Sequence, residues 1–260
     1  MDDKTIRALG DGLYDAWRTR CPIAQLTETH PDMSIEDAYG IQQRMIARRR
    51  EADLRVLGKK IGLTSKVVQK MLGVDQPDFG YLLSDMVCGD TEAVPMASLI
   101  APKIEGEIAF VLKKTLAGPG ITAADVLRAT DFVMPCFEIV DSRIRDWKIR
   151  IQDTVADNAS AAMFVLGGQA VDPRDVDLGL CGMVLEKNGE VAATGAGAAA
   201  LGSPVNCVAW LANRLGQLGI ALEEGEVILS GSLAAMLPAQ AGDSFRCTIG
   251  GIGSVSTRFV

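Results

Sequence analysis

One histidine, His30, stands in 260 residues, and its scarcity excludes a wide range of chemistry. Ser-His-Asp and Cys-His catalysis both need an imidazole, and so do most zinc and non-haem iron sites. His30 lies in the polar, proline-marked stretch Thr27-Glu28-Thr29-His30-Pro31-Asp32 and reads as a surface side chain. Chemistry is therefore expected to run on carboxylates, lysine, hydroxyls or a metal. The six cysteines (Cys21, Cys88, Cys136, Cys181, Cys207 and Cys247) form no C-x-x-C pair. Thiolate zinc sites need closer spacing, so the cysteines read as reduced, small, buried side chains of a cytoplasmic protein. No apolar run approaches the ~20 residues that span a bilayer, so no membrane role is expected. Met1-Asp2-Asp3-Lys4 shows no apolar leader, and no secretory signal is expected. An excess of basic charge is also missing: 26 Lys and Arg face 33 Asp and Glu, a net charge of −7. Nucleic acid is an unsuitable partner for such a surface.

The chain does have ample material for an ordered core, with 48% hydrophobic and 23% charged residues. Ile6, Leu9, Leu13 and Trp17 recur at helical spacing over residues 3–18. Ser34, with Asp37 three residues on, predicts a capped second helix through Ala38, Ile41, Met45 and Ile46. It ends in Arg48-Arg49-Arg50-Glu51, a basic run suited to a solvated face, a subunit contact or an anion. Beyond residue 55 short β-type runs dominate: Val56–Leu63, Ile104–Leu112, Phe132–Val140, Ala162–Leu166, Met183–Glu186, Val227–Leu229, Phe245–Ile249 and Val255–Phe259. Two helices interrupt them, one near Ala123–Thr130 capped by Thr122. The other is capped by Ser203 with Pro204 at its first position and stops near Gly216–Gly219. Strands outnumber helices without βαβ alternation, so the expected class is α+β. We read one domain, with a helical N-terminal subdomain over 1–54 and a β-rich core over 55–260.

On a strand, Glu105 and Glu107 share one face, because side chains alternate with period two. Their mutual repulsion needs an offset from water, a basic partner or a cation. Glu138 sits alone in the apolar run Met134-Pro135-Cys136-Phe137-Glu138-Ile139-Val140, where an unpaired carboxylate is costly to bury. Three glutamates in a histidine-poor chain suit a hard divalent cation, Mg²⁺ or Mn²⁺. An exposed acidic strand face with a salt-bridged glutamate is the alternative. In Gly58-Lys59-Lys60-Ile61-Gly62, Lys60 shares its face with two glycines, which leaves room for a ligand or another backbone. Lys59 falls with Leu57 and Ile61, where it can snorkel along the apolar face, and taken alone either lysine reads better as plain surface. Gln76–Tyr81 reads as a turn, with Asp78 either capping it or facing a site. Asp157-Asn158-Ala159-Ser160 divides evenly between capping and substrate contact. Gly195-Ala196-Gly197-Ala198-Ala199-Ala200 matches a permissive dinucleotide pattern, but no helix opens on it. It reads as a glycine-rich turn packed against neighbouring backbone.

Several of these segments occur in one order with Gly202-Ser203-Pro204, Leu229-Ser230-Gly231-Ser232 and Phe137–Arg143. The set resembles the 2-hydroxypenta-2,4-dienoate (2-oxopent-4-enoate) hydratases of the fumarylacetoacetate hydrolase-like superfamily, over nearly the whole chain. The resemblance implies a mixed β-roll core and a homo-oligomer in aromatic meta-cleavage catabolism. It implies Mg²⁺ or Mn²⁺ on Glu105, Glu107 and Glu138. Lys60, Asp78 and Ser160 are then catalytic, and Leu63 and Ser232 contact the small-molecule substrate. The related 4-oxalocrotonate decarboxylase is a possible partner. The alternatives are that decarboxylase itself or a non-catalytic subunit of its complex.

Overall fold

The computed structural model describes residues 1–72 and 74–260. Three helices come first: α1 (Asp3–Thr19), α2 (Leu26–Thr29) and α3 (Ile35–Arg50). Ser34 caps α3 in a reciprocal box with Asp37, as the S-x-x-D spacing predicts. The apolar stripe of α1, centred on Leu13 and Ala16, packs on that of α3, centred on Ala38, Ile41 and Met45. Then follow β1 (Val56–Gly62), α4 (Lys66–Leu72), β2 (Asp78–Leu83), β3 (Val87–Cys88), β4 (Ala93–Val94) and β5 (Lys103–Leu112). Next come α5 (Ala123–Ala129), β6 (Thr130–Val140), α6 (Ile151–Ala156), β7 (Ala161–Leu166), β8 (Gly182–Lys187) and β9 (Glu190–Ala196). The chain ends with α7 (Pro204–Gly216), β10 (Val227–Leu229), β11 (Leu237–Pro238), β12 (Ser244–Ile249) and β13 (Gly253–Phe259). Among the described residues no helix is long and apolar enough to cross a membrane.

The strands form two sheets. The larger, mixed sheet runs β2-β1-β10-β5-β6-β7-β3, with β11 beside β5; the smaller runs β4-β13-β12-β8-β9. At Gly106 of β5 a side chain would meet Met183 of β8 and Cys247 of β12 at 2.7 and 2.9 Å, so the sheets pack closely there. That fixes the opposite face of β5, the one bearing Glu105 and Glu107, as the face turned toward α7 and the 231 loop. The helices join the same apolar cluster: Leu13, Ile41 and Met45 belong with Phe79, Phe110 and Phe137. A buried side chain, Gln42 of α3, ties them in further, donating to the carbonyls of Phe79 (2.9 Å) and Val155 (3.0 Å).

Four local expectations change. Asp78 opens the buried strand β2 rather than sitting in a turn, because its backbone pairs with Gly62. Lys59 does not snorkel to water: its ammonium is buried on both carboxylate oxygens of Glu226, at 2.5 and 2.6 Å. Ser203 does occupy the N-cap of α7, yet its side chain makes no capping bond. Cys21 is exposed, whereas the other five thiols are buried. The glycine-rich stretch behaves as expected: Cβ atoms at Gly195 and Gly197 would overlap the carbonyl oxygens of Leu233 and Leu178 at 1.9 and 1.8 Å.

Candidate metal centre and active site

Alternation along β5 carries Glu105 and Glu107 to one face, and the antiparallel register sets Glu138 of β6 directly opposite Glu105. One oxygen from each carboxylate lies within 4.8 Å of the others. Glu107 and Glu138 are fully buried and Glu105 partly so. Glu107 Oε2 accepts a hydrogen bond from the Gly231 amide at 2.8 Å. Its Oε1, and both oxygens of Glu138, accept none. Buried carboxylate oxygens without partners are costly, and here three of them converge. An oxygen-ligated divalent cation satisfies that arrangement better than any group of the protein does.

Lys60 approaches from β1, which pairs with β2 on one side and β10 on the other. Its Nζ stands 3.1 Å from Glu138 Oε1, an ion pair without the alignment of a hydrogen bond. Asp78, cross-strand from Gly62, completes the group; its Oδ1 is buried and unpartnered. The absent side chain of Gly62 makes this possible. A Cβ there would lie 2.2 Å from Asp78 Oδ1 and 3.2 Å from Lys60 Nζ. Gly58 serves backbone instead: its Cβ would fall 1.8 Å from the Val227 carbonyl oxygen.

The electrostatics follow from four carboxylates around one ammonium. Burial opposes the Lys60 charge, yet Glu138, Asp78, Glu105 and Glu107 outweigh it and hold its pKa above the ordinary lysine value. Burial pushes Glu105 up to about 7, with the charge of Glu138 adding to it. Burial also lifts Glu107 and Glu138, the latter against the pull of Lys60. Asp78 is raised as well, because burial exceeds the attraction of Lys60.

Ser160 ends a three-residue left-handed turn, with φ of 55° at Asn158, 50° at Ala159 and 56° at Ser160. Such a run of non-glycine residues is strained and persists only when neighbours hold it. They do. Asn158 accepts from the Tyr81 amide at 2.7 Å and donates to the Tyr81 carbonyl at 2.9 Å. Asp157, fully buried, receives Nε of Arg143 at 2.5 Å and the Arg143 amide at 2.9 Å. Burial still lifts Asp157 to about 6 despite that arginine. The Ser160 hydroxyl lies 3.4 Å from Thr154 Oγ1, and no hydrogen bond links it to the carboxylates. Ser232 follows the Glu107-binding Gly231 and donates to the Ala234 carbonyl at 2.6 Å. Leu63, just past β1, has φ of 55°, and its carbonyl accepts from Gln69 at 2.6 Å. The structure thus gathers Glu105, Glu107, Glu138, Lys60 and Asp78 into one cluster. Ser160, Leu63 and Ser232 lie on segments that flank it. Sequence reasoning named Asp157 and Asn158 only within a capping or substrate-facing cluster, and it missed Gln42 and the Arg143–Asp157 pair as supports. Only a polar side chain inside an apolar pattern, as at Gln42, signalled them.

The fold and cluster place three carboxylates that could hold a metal ion on a β-roll scaffold, and the comparisons point to the same family. The chain matches Fumarylacetoacetate (FAA) hydrolase C-terminal over residues 57–260. It is 64% identical to a 2-hydroxypent-2,4-dienoate hydratase of Pseudomonas putida over 85% of this chain and 100% of that one. It is 55% identical to a 2-hydroxyhexa-2,4-dienoate hydratase of Comamonas testosteroni over 100% and 99%. Among solved structures, 4-oxalocrotonate decarboxylase from Pseudomonas putida G7, complexed with magnesium and adipate, aligns with a TM-score of 0.96 at 39% identity, over 100% and 99%. The chain belongs to the fumarylacetoacetate hydrolase family.

Proposed function

We propose that this protein is a hydro-lyase that adds water to 2-hydroxypenta-2,4-dienoate (2-oxopent-4-enoate), giving 4-hydroxy-2-oxopentanoate. The observation that carries the reading is the convergence of three carboxylates, two of them (Glu107 and Glu138) with unpartnered buried oxygens, beside Lys60 and Asp78. The hydratase names of its relatives support the choice of reaction. Glu105, Glu107 and Glu138 would hold Mg²⁺ or Mn²⁺, whose chemistry here is Lewis-acid stabilisation of charge on the 2-oxygen of a chelating 2-oxo acid. The chain's own groups move the protons. The dienol loses its hydroxyl proton as C5 gains one. Water then adds its oxygen at C4 and a proton reaches C3, so that one water is consumed. Lys60 and Asp78 exchange these protons, because they are the titratable pair beside the carboxylates. Ser160 and Ser232 orient the substrate carboxylate or the incoming water, with Leu63 against the substrate chain. We place the enzyme in the cytoplasm as a homo-oligomer of a meta-cleavage route, able to associate with a 4-oxalocrotonate decarboxylase.

The structural match to that decarboxylase favours one second reading, loss of CO₂ from a 2-oxohexenedioate at the same centre. Ultraviolet assays of both substrates separate the two. Metal-loaded protein is expected to consume the monocarboxylate dienoate and to lose that activity on chelation. Release of CO₂ from the dicarboxylate with no hydration would transfer the assignment to the decarboxylase.

A further inference from the structure

The basic run at the end of α3 takes no part in the centre described above. Arg48 stays at the surface with Asp11 and Glu51. Arg49 turns inward and is only 2% exposed. Its Nη2 meets both oxygens of Asp85 at 2.7 Å, while its Nε is buried without a partner. Arg20 lies nearby, at the end of α1, with φ of 59°, in the left-handed region where helices ordinarily place glycine. Its Nε and Nη1 are also buried and unpartnered. Both guanidinium groups stack on Trp17, Arg49 at 4.2 Å and Arg20 at 5.4 Å from the ring centre.

A cleft of about 210 Å³ opens among these groups, with Arg143, Leu99 and Met163 also in its wall. Its acids are engaged: Asp85 holds Arg49, and Asp141 accepts the amides of Ile100 and Ala101 at 2.7 Å each. Burial, and then the charges of Arg143 and Arg20, push Arg49 below the ordinary arginine value against the pull of Asp85. Three buried N–H donors therefore lack an acceptor while the acids around them are already engaged, and such donors are expensive to leave unmade. Met163 pairs with Ile139, the neighbour of Glu138, so the cleft and the carboxylate cluster lie on opposite faces of the large sheet.

We propose that this cleft is a second ligand site, which binds a small oxyanion (a carboxylate, sulfate or phosphate group) between Arg20 and Arg49. The planar forks and the Trp17 platform suit such a group. The test compares sulfate with chloride at matched ionic strength on Mg²⁺-loaded protein, wild type against Arg20→Gly. Glycine suits the backbone at position 20, so without sulfate the variant is expected to melt no lower than wild type and to turn over dienoate normally. Sulfate is expected to raise the wild-type melting temperature by about 2–4 °C more than that of the variant, the shift expected of a site near saturation. A selenate-soaked crystal is expected to show selenium between Arg20 and Arg49. Equal sulfate responses in the two proteins, or a cleft filled by an acidic side chain of a second copy, would overturn the proposal.

Discussion

Lys60 faces four carboxylates and is the group whose removal leaves most charge uncompensated. Lys60→Met is expected to cost about 3–5 kcal/mol in the metal-free protein, because breaking a buried pair strands its partner. Urea unfolding without metal, then with saturating Mg²⁺, checks this; a loss below about 1 kcal/mol would mean that the ammonium is dispensable. Glu105 gives a pH dependence. Its folded pKa of about 7 lies above the ordinary 4.5. Between those values the native metal-free chain keeps a proton that the unfolded chain has released, so its stability falls as pH rises through that window. A cation must displace the proton. Metal affinity is therefore expected to climb about tenfold or more per pH unit below pH 7, because Glu107 and Glu138 are raised as well. Calorimetric titration with Mn²⁺ between pH 6 and 8 tests it, and a pH-independent affinity contradicts it. Glu105, Glu107 and Glu138 could be picked out as candidates from residue type and strand period, whereas the choice of Lys60 over Lys59 rested on the family resemblance. Asn158 and Arg143 could not, because their work is to bond backbone groups distant in sequence, the Tyr81 and Ala161 carbonyls.

At the scale of elements, two glycines of β1 divide structure from chemistry. Gly58→Ala sets a methyl against the backbone of β10 and is expected to destabilise the protein by about 3 kcal/mol, because strands cannot step aside as side chains can. Gly62→Ala meets the Asp78 carboxylate, which can rotate away. It is expected to leave the melting temperature nearly unchanged and to lower turnover about 10–100-fold, as the proposed proton-transfer role of Asp78 requires. Thermal melts and steady-state rates on the two variants decide, and reversed effects would contradict the division. Most strands and helices could be read from their periodicity. Strand β2 could not, since Gln76-Pro77-Asp78 carries turn residues and all six of its positions are buried, which erases the alternation. Helix α6 is too short, at six residues, for a period to show.

At the scale of the molecule, two sheets and a helical segment share one apolar cluster, and the larger sheet supplies the carboxylates and Lys60. The α+β class was plain from the sequence, whereas the pairing of β1 with β10 was not. A parallel contact between residues 58 and 227 leaves no local pattern. Gln42 joins distant regions in the same way. Gln42→Leu is expected to cost about 2–4 kcal/mol, because it strands two buried carbonyls, one beside Asp78 and one three residues before Asn158. It is also expected to lower kcat more than it alters KM. Denaturation and steady-state kinetics measure both, and an unaltered rate would free the helices from any part in turnover. The same amide bears on what can be trimmed. The segment recognisable as the family's own begins at residue 57, so a protein cut to that boundary would keep every acid and its lysine while losing the clasp that ties β2, the strand of Asp78, to α6 just before the left-handed turn. Such a fragment should hold an ion and do little with it.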